Sequence, residues 1–352
     1  MTAEENRRAR VASMLDEPKL DALLVTNLHN VRYLTGFTGS NGAVLLLRDG
    51  TAVLFTDPRY TVQSQQQVNC RVRIAKGPLT KSILQEITRT RVHRVGFEQE
   101  HMTVAQRESF KRELEPATGL IERLRVVKDA VEIEKIRASV ISNSSALEAA
   151  LKRFKIGMKE SELAAEIDYH NRKLGAEAPA FDTIVAAGEH AALPHAQPGA
   201  ARIQPGILLI DMGAFRDGYA SDMTRMVHVG SPTTRYKRAY RAVLEAQLAA
   251  IDAVKPGMTT NSVDRAARST LKGHGLEREF IHSTGHGLGL EIHELPRIGR
   301  KDKTRLEAGM TITIEPGVYI EGWGGIRIED TVMVTPGGCE ILTPTTKELR
   351  EI

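Results

Sequence analysis

Cysteine is nearly absent: only Cys70 and Cys339 occur in 352 residues, far apart and without a C-x-x-C spacing. Neither a disulfide framework nor a cysteine-built zinc site is indicated, and both thiols read as buried or inert. Long apolar runs are missing too. No stretch reaches the roughly 18 uninterrupted apolar residues that cross a bilayer, and MTAEENRRARVASML is charged where a signal peptide is apolar. A cytoplasmic protein without a membrane partner is expected. Nor is charge of one sign gathered into blocks: the net charge of +4 and pI of about 9.0 come from Lys and Arg interleaved with Asp and Glu. Arg7, Arg8 and Arg10 sit beside Glu4 and Glu5, while Arg89, Arg91 and Arg94 lack the neighbouring aromatics of a base-stacking surface. Both clusters read as solvated faces, and no nucleic-acid partner is expected.

What remains is globular in character, with 41% hydrophobic and 26% charged residues over a length that favours two domains. Residues 1–125 alternate helix-like and strand-like stretches, among them DALLVT, AVLLLRDGTAVLFTD and RVGFE, which predicts a small α/β domain. Asp49 and Gly50 tolerate the positive φ of a tight hairpin turn. GFTGSNG, with Gly36, Gly39 and Gly42, lacks the Lys and the glycine order of a phosphate loop and reads as a loop that could approach the active site. From Val126 the pattern becomes a long helix with Val131, Ile136, Val140, Leu147 and Leu151 at roughly helical spacing, so a second domain is expected over 126–352.

That second part repeats itself faintly. KIGMKESELA followed by KLGAE returns about 100 residues later as KPGMTTNSVD and GHGLE, so Lys155, Gly157 and Met158 correspond to Lys255, Gly257 and Met258. Each copy leads into a strand ending in an acid: Asp211 in ILLIDMG and Glu315 in MTITIEPG. Two facing halves would each present one acidic hairpin.

In ILLIDMGAFRDGYASDMTRMVHV, Asp217 and Gly218 mark a two-residue turn. Pairing 216 with 219 puts Asp211 opposite Thr224 and diagonal to Asp222, with both carboxylates on one face. In MTITIEPGVYIEGWGGIRIEDTVMV, Gly322, Gly324 and Gly325 mark the turn; pairing 320 with 326 puts Glu315 opposite Thr331 and diagonal to Glu329. Carboxylates on a buried strand face are costly unless something cationic neutralises them, and a metal ion is the natural partner. Between the hairpins, FIHSTGHGLGLEIHE carries His282, His286 and His293; Gly285 and Gly287 let the His286 backbone approach another group closely. GHGLG lacks the G-x-G-x-x-G order and HELPR is not H-E-x-x-H, so neither a dinucleotide site nor a zincin is supported. Four acids and one imidazole suit two hard divalent ions such as Mn²⁺, and Co²⁺ or Zn²⁺ as well.

At these residues the sequence resembles the family of aminopeptidase P and prolidase, with methionine aminopeptidase as a more distant relative, all built on the pita-bread fold. LLIDMGA, YASDMTR, STGHGLGLEIHE, TIEPGVYI and IRIEDT look like the family's ligand segments, in order and complete, while YLTGFTGSNGAVLL and FTDPRYTVQ look like its creatinase-type N-terminal domain. The resemblance implies a creatinase-like α/β domain over 1–125 and a pita-bread domain with pseudo-two-fold symmetry over 126–352. It also implies a homodimer, and hydrolysis of the Xaa-Pro bond at the N-terminus of di- or oligopeptides. Carried over residue by residue, Asp211, Asp222, His286, Glu315 and Glu329 hold two metal ions, and Glu315 also relays a proton. His195 in LPHAQPG and His293 touch substrate and steady the developing oxyanion. His282 lines the proline pocket and Arg327 buttresses the metal site. Tyr319 and Trp323 either contribute apolar surface to that pocket or serve a structural role, and Arg297 sits where an arginine could bind a dipeptide's free carboxylate. A non-catalytic peptide-binding module and a creatinase-like hydrolase are rival readings that the complete ligand set argues against. The N-terminal domain argues against a methionine aminopeptidase.

Overall fold

Strands buried on both faces need apolar side chains at every position, and the first part of the chain supplies them. The computed structural model describes residues 1–352, which divide into two compact units, Met1–Arg125 and Val126–Ile352. The first unit holds β1 (Ala22–Val25), β2 (Gly42–Leu47), β3 (Ala52–Thr56), β4 (Arg71–Ile74), β5 (Val95–Glu98) and β6 (Glu115–Ala117) in one mixed sheet of order β4-β3-β2-β1-β5-β6. Its helices are α1 (Ala3–Ser13), α2 (Leu28–Thr35), α3 (Thr61–Gln67), α4 (Leu79–Thr90), α5 (Val104–Ser109) and α6 (Leu120–Arg125). Every residue of β1 and β3 is buried, and Leu24, Phe55, Ile83 and Phe97 share a core. The β2–β3 hairpin turns at Asp49 and Gly50, where Gly50 has φ +85° and Leu46 pairs with Ala52.

Arg7 and Arg8 are not the solvated pair that their acidic neighbours predict. Both are buried: Arg8 Nη1 donates to Leu34 O at 2.8 Å and to Asn69 Oδ1 at 2.9 Å, and Arg7 Nη1 to Tyr33 O at 3.3 Å. The last carbonyls of a helix lack partners within it, and these two guanidiniums satisfy them at the end of α2, where Gly36 leaves the helix at φ +78°.

The second unit contains four helices, α7 (Ala130–Leu151), α8 (Glu160–Lys173), α9 (Thr234–Asp252) and α10 (Thr260–Gly273). Between α8 and α9 run β7 (Ala178–Pro179), β8 (Ile184–Ala187), β9 (Gly206–Met212), β10 (Ala214–Arg216), β11 (Tyr219–Ala220) and β12 (Met223–Val229). After α10 come β13 (Gly285–Gly287), β14 (Glu294–Ile298), β15 (Thr311–Ile314), β16 (Gly317–Ile320), β17 (Gly324–Arg327), β18 (Asp330–Thr335), β19 (Gly338–Ile341) and β20 (Arg350–Glu351). The principal sheets are β20-β12-β9-β8 and β14-β13-β15-β18-β19, each backed by one helix pair. Leu147, Leu163 and Ile167 of α7 and α8 pack on Leu208 and Ile210, while Val243 and Val263 of α9 and α10 pack in the cluster of Ile312 and Val332.

The repeat is structural as well as sequential. Gly157 and Gly257 take φ +88° and +82°; their amides donate to Ile203 O at 2.9 Å and Leu306 O at 2.8 Å, and their carbonyls accept from Arg202 and Arg305, each at 2.8 Å. On α7, Ile136, Val140, Leu147 and Leu151 are buried but Val131 is 60% exposed. Five residues separate Val131 from Ile136, a rotation of about 140° from that face. The buried face instead continues through Ser139 and Asn143, whose side chains donate to Ala214 O and Met212 O, both at 2.9 Å, and so support the backbone beside Asp211.

Replacing Arg8 with Ala should cost about 1–3 kcal/mol by leaving buried carbonyls unsatisfied. Denaturant unfolding of the variant should show this loss, and unchanged stability would mean that water replaces the guanidinium.

Candidate active site

The first acidic hairpin follows its predicted register. Asp217 (φ +51°) and Gly218 (φ +77°) form the turn, Arg216 pairs with Tyr219, and Asp211 lies opposite Thr224. The second departs from prediction. Ile320 pairs with Gly324, not with position 326, around a three-residue loop in which Gly322 has φ +69°. The same register continues through Thr313–Thr331 and Ile314–Asp330, so Glu315 stands opposite Glu329 rather than Thr331. Gly324 and Gly325 are strand positions, not turn positions, and their lack of a side chain answers to backbone contacts. A Cβ on Gly325 would lie 2.0 Å from Ala191 O, and one on Gly324 2.8 Å from Gly188 O.

Four carboxylates and one imidazole converge between the hairpins. His286 Nε2 is 3.5 Å from Asp222 Oδ2 and 3.5 Å from Glu315 Oε1. One ligand atom from each of Asp222, His286 and Glu329 falls within 4.8 Å of the others. His286 Nδ1 lies 3.0 Å from Gly287 O; a carbonyl only accepts, so Nδ1 donates there and Nε2 is the nitrogen that faces the acids. Gly285 and Gly287 make this approach feasible, since a Cβ on either would stand about 2 Å from a carbonyl of Thr313 or Leu295.

The site is negative and largely buried. Burial, followed by the neighbouring Asp211 and Glu315 charges, pushes Asp222 up to about 7 despite its contact with His286. Burial and the charge of Asp222 raise Glu329 well above the carboxylate range. Burial lowers the affinity of His286 for a proton, but Asp222 and Glu315 more than reverse this and lift it to about 9. Asp211 is raised by burial and pulled back by Arg327, whose Nη2 donates to Oδ2 at 2.5 Å; Asp211 Oδ1 is buried with no hydrogen-bond partner. An orphaned carboxylate oxygen within four mutually repelling acids is what a site built for divalent cations presents before its charge is neutralised, and these residues fit such ions.

Around this centre, Arg327 Nη1 donates to Tyr319 OH at 2.6 Å and to Pro194 O at 3.2 Å, and Nε to Thr224 Oγ1 at 3.0 Å. His282 Nε2 stands 3.0 Å from Tyr319 OH. Tyr319 is therefore tied by its hydroxyl into a polar relay, instead of offering only an apolar face. The His293 and His286 rings are 4.4 Å apart, whereas His195 and His293 are largely exposed. Arg297 is exposed and pairs across β13–β14 with His286, which gives the two side chains a common face. Trp323 sits at the β16–β17 tip under the Arg235 guanidinium, 4.7 Å from its ring centre; Arg327, which binds Asp211, is at the hairpin's other end.

Three supporting residues escape a search for acids and histidines. Thr224 Oγ1 donates to Glu329 Oε2 at 2.7 Å, and Thr313 Oγ1 lies 3.2 Å from Glu315 Oε1. Arg225 joins both hairpins, bonding Asp330 Oδ1 at 2.7 Å and the Glu329 carbonyl. Their sequence signal is parity: Thr224 is the cross-strand partner of Asp211, and Thr313 is two residues before Glu315 on the same strand face.

Paired helix-backed sheets that close on an acidic, histidine-bearing centre define a pita-bread hydrolase domain, which follows a separate α/β domain in the sequence. Residues 134–336 match the model of metallopeptidase family M24 and residues 7–127 that of the creatinase/prolidase N-terminal domain, and the chain belongs to this metallopeptidase family. It is 38% identical to a Xaa-Pro dipeptidase of Pyrococcus furiosus over 98% of this chain and 99% of that protein. Among solved structures it is similar to a Xaa-Pro dipeptidase from Bacillus anthracis, at 37% identity and TM-score 0.96 over 99% of this chain and 100% of that one. An X-Pro aminopeptidase from Thermotoga maritima matches at 35% identity and TM-score 0.90, over 95% and 98% of the two chains. No helix is long and apolar enough to cross a membrane.

Mn²⁺ added to chelator-treated protein should raise its unfolding temperature, by an amount equivalent to about 2.7 kcal/mol at a hundredfold excess over Kd. Asp222→Asn should lose most of this gain in the same thermal melts. Identical melting with and without metal would refute a cation site.

Proposed function

We propose that this protein is a metal-dependent exopeptidase that hydrolyses the Xaa-Pro bond of dipeptides. The observation that carries the reading is the His286 imidazole set 3.5 Å from both Asp222 and Glu315 beside an Asp211 oxygen that lacks a partner. Asp211, Asp222, His286, Glu315 and Glu329 would hold two divalent ions, with Mn²⁺ favoured by the oxygen-rich donor set. Such ions supply Lewis acidity and make a water a nucleophile near neutral pH.

The chain's own groups account for the rest. Glu315, at 17% side-chain exposure beside His286, accepts the proton of the attacking water and returns it to the proline nitrogen as the bond breaks. An amide nitrogen departs as an amine only when it gains a proton, and the proline nitrogen, which has no N–H in the peptide, acquires its N–H in this step. His195 and His293 donate hydrogen bonds to the carbonyl oxygen as charge develops on it. His282, braced by Tyr319, borders the proline ring. Arg327 holds Asp211 in place and, by its positive charge, offsets part of the site's negative charge. Arg297 receives the dipeptide's carboxylate, a charge that a longer peptide does not present at that position. A homodimer is the assembly that the family resemblance supports.

Ala-Pro should be cleaved by Mn²⁺-loaded enzyme and Ala-Pro-Ala much more slowly. Comparable cleavage of the tripeptide would move the protein to aminopeptidase activity, and no cleavage of either would make it a binding module. Glu315→Gln should lower kcat by about 10²–10⁴-fold with the fold retained. Arg297→Ala should raise KM for Ala-Pro about tenfold or more, the loss of a charged hydrogen bond; an unchanged KM would remove Arg297 from the substrate site.

A further inference from the structure

We infer that Glu160, with His190 and the glycine pair Gly324-Gly325, positions His195 by fixing the 187–199 loop that presents it; the inference rests on the reading of His195 as a substrate-contacting group. His195 is exposed, so packing of its own ring does not set its place. The loop's backbone must do so.

Glu160 is the first residue of α8 and its side chain is 1% exposed. Its Oε1 accepts from Ala187 N at 2.8 Å and its Oε2 from Gly199 N at 3.2 Å, so one carboxylate staples both ends of the loop. His190 Nδ1, three residues into the loop, lies 3.0 Å from each of the two oxygens. From the opposite side the loop rests on β17: the carbonyls of Gly188 and Ala191 occupy the space that side chains on Gly324 and Gly325 would fill. The residue before His195 is tied as well, because Pro194 O accepts from Arg327. Three ties thus bracket the histidine, and one leads to the guanidinium that holds Asp211.

The repeat shows that helix geometry alone does not demand a glutamate here. Position 260, the counterpart in α10, is a threonine, and there the carboxylate comes from the facing segment: Thr260 Oγ1 donates to Asp302 Oδ1 at 2.9 Å. Both halves place an acid at this point, buried in the first (Glu160) and only partly covered in the second (Asp302). Only in the first half does the acid hold a loop with a substrate-facing histidine.

The test is a double-mutant cycle on Mn²⁺-loaded enzyme with Ala-Pro as substrate. Glu160→Gln and His190→Ala should each lower kcat/KM about tenfold or more in the wild-type background, as small misplacements of a catalytic group do. In a His195→Ala background the same changes should cost less than about twofold, because the group they position is gone. His190→Asn keeps an N–H near the position of Nδ1 and should restore most of the activity. Mn²⁺ affinity, measured by calorimetry, should stay at the wild-type value throughout, since no ligand is altered. Equal losses in both backgrounds, or a weakened Mn²⁺ affinity, would overturn the inference. His195→Ala with undiminished turnover would overturn the role given to His195 and this inference with it. The His190 side chain is 31% exposed, so its variants keep the test decisive should Glu160→Gln fail to fold.

Discussion

The second unit is organised around one electrostatic problem: Asp211, Asp222 and Glu329 are buried together with Glu315 beside them, and burial and the neighbouring negative charges penalise the ionised form of those three buried acids. Like-charged buried groups separate or take up protons unless the framework is stiff and a cation balances them. Two paired hairpins provide the stiffness. Within the protein, Arg327 compensates Asp211 and His286 compensates Asp222 and Glu315, which leaves negative charge over for a divalent ion.

Holding these acids against their own repulsion takes a second layer of contacts. The α7 serine and asparagine fasten the backbone behind Asp211. Asp264 and Arg268 do the same beside the histidines. Arg268 clamps the carbonyls of Phe280 and His282 at 2.9 and 2.5 Å, while Asp264 accepts from Thr284 Oγ1 at 2.8 Å. Lys128 Nζ meets Glu294, the neighbour of His293, at 3.1 Å, with both side chains buried. Buried pairs of this kind add little net stability, and their value lies in orienting the groups they touch.

The two halves share a scaffold but divide the chemistry. The first contributes short aspartates and a histidine on a stapled loop. The second contributes longer glutamates, an imidazole on a bulged strand, and the arginine that reaches back to Asp211. Pseudo-symmetry supplies the matching hairpins; the differences between them place the two aspartates on one side and the two glutamates with the imidazole on the other.

Much of this was legible in the residues alone. The β2–β3 turn, the Asp217-Gly218 hairpin with Asp211 opposite Thr224, and the hundred-residue repeat follow from local rules of turn chemistry and strand alternation, because each depends on neighbours in sequence. Where the determining partner lies far along the chain, local rules mislead. Gly324 and Gly325 look like turn residues but are strand positions emptied for the carbonyls of Gly188 and Ala191; Arg7 and Arg8 look solvated but terminate a helix some 26 residues away. Sequence by itself determined which groups could bind a cation and which strands carry them. Only the tertiary structure decided that Glu315 faces Glu329, that Tyr319 serves Arg327 through its hydroxyl, and that Glu160 staples the His195 loop, since each is a contact between segments that no local preference encodes.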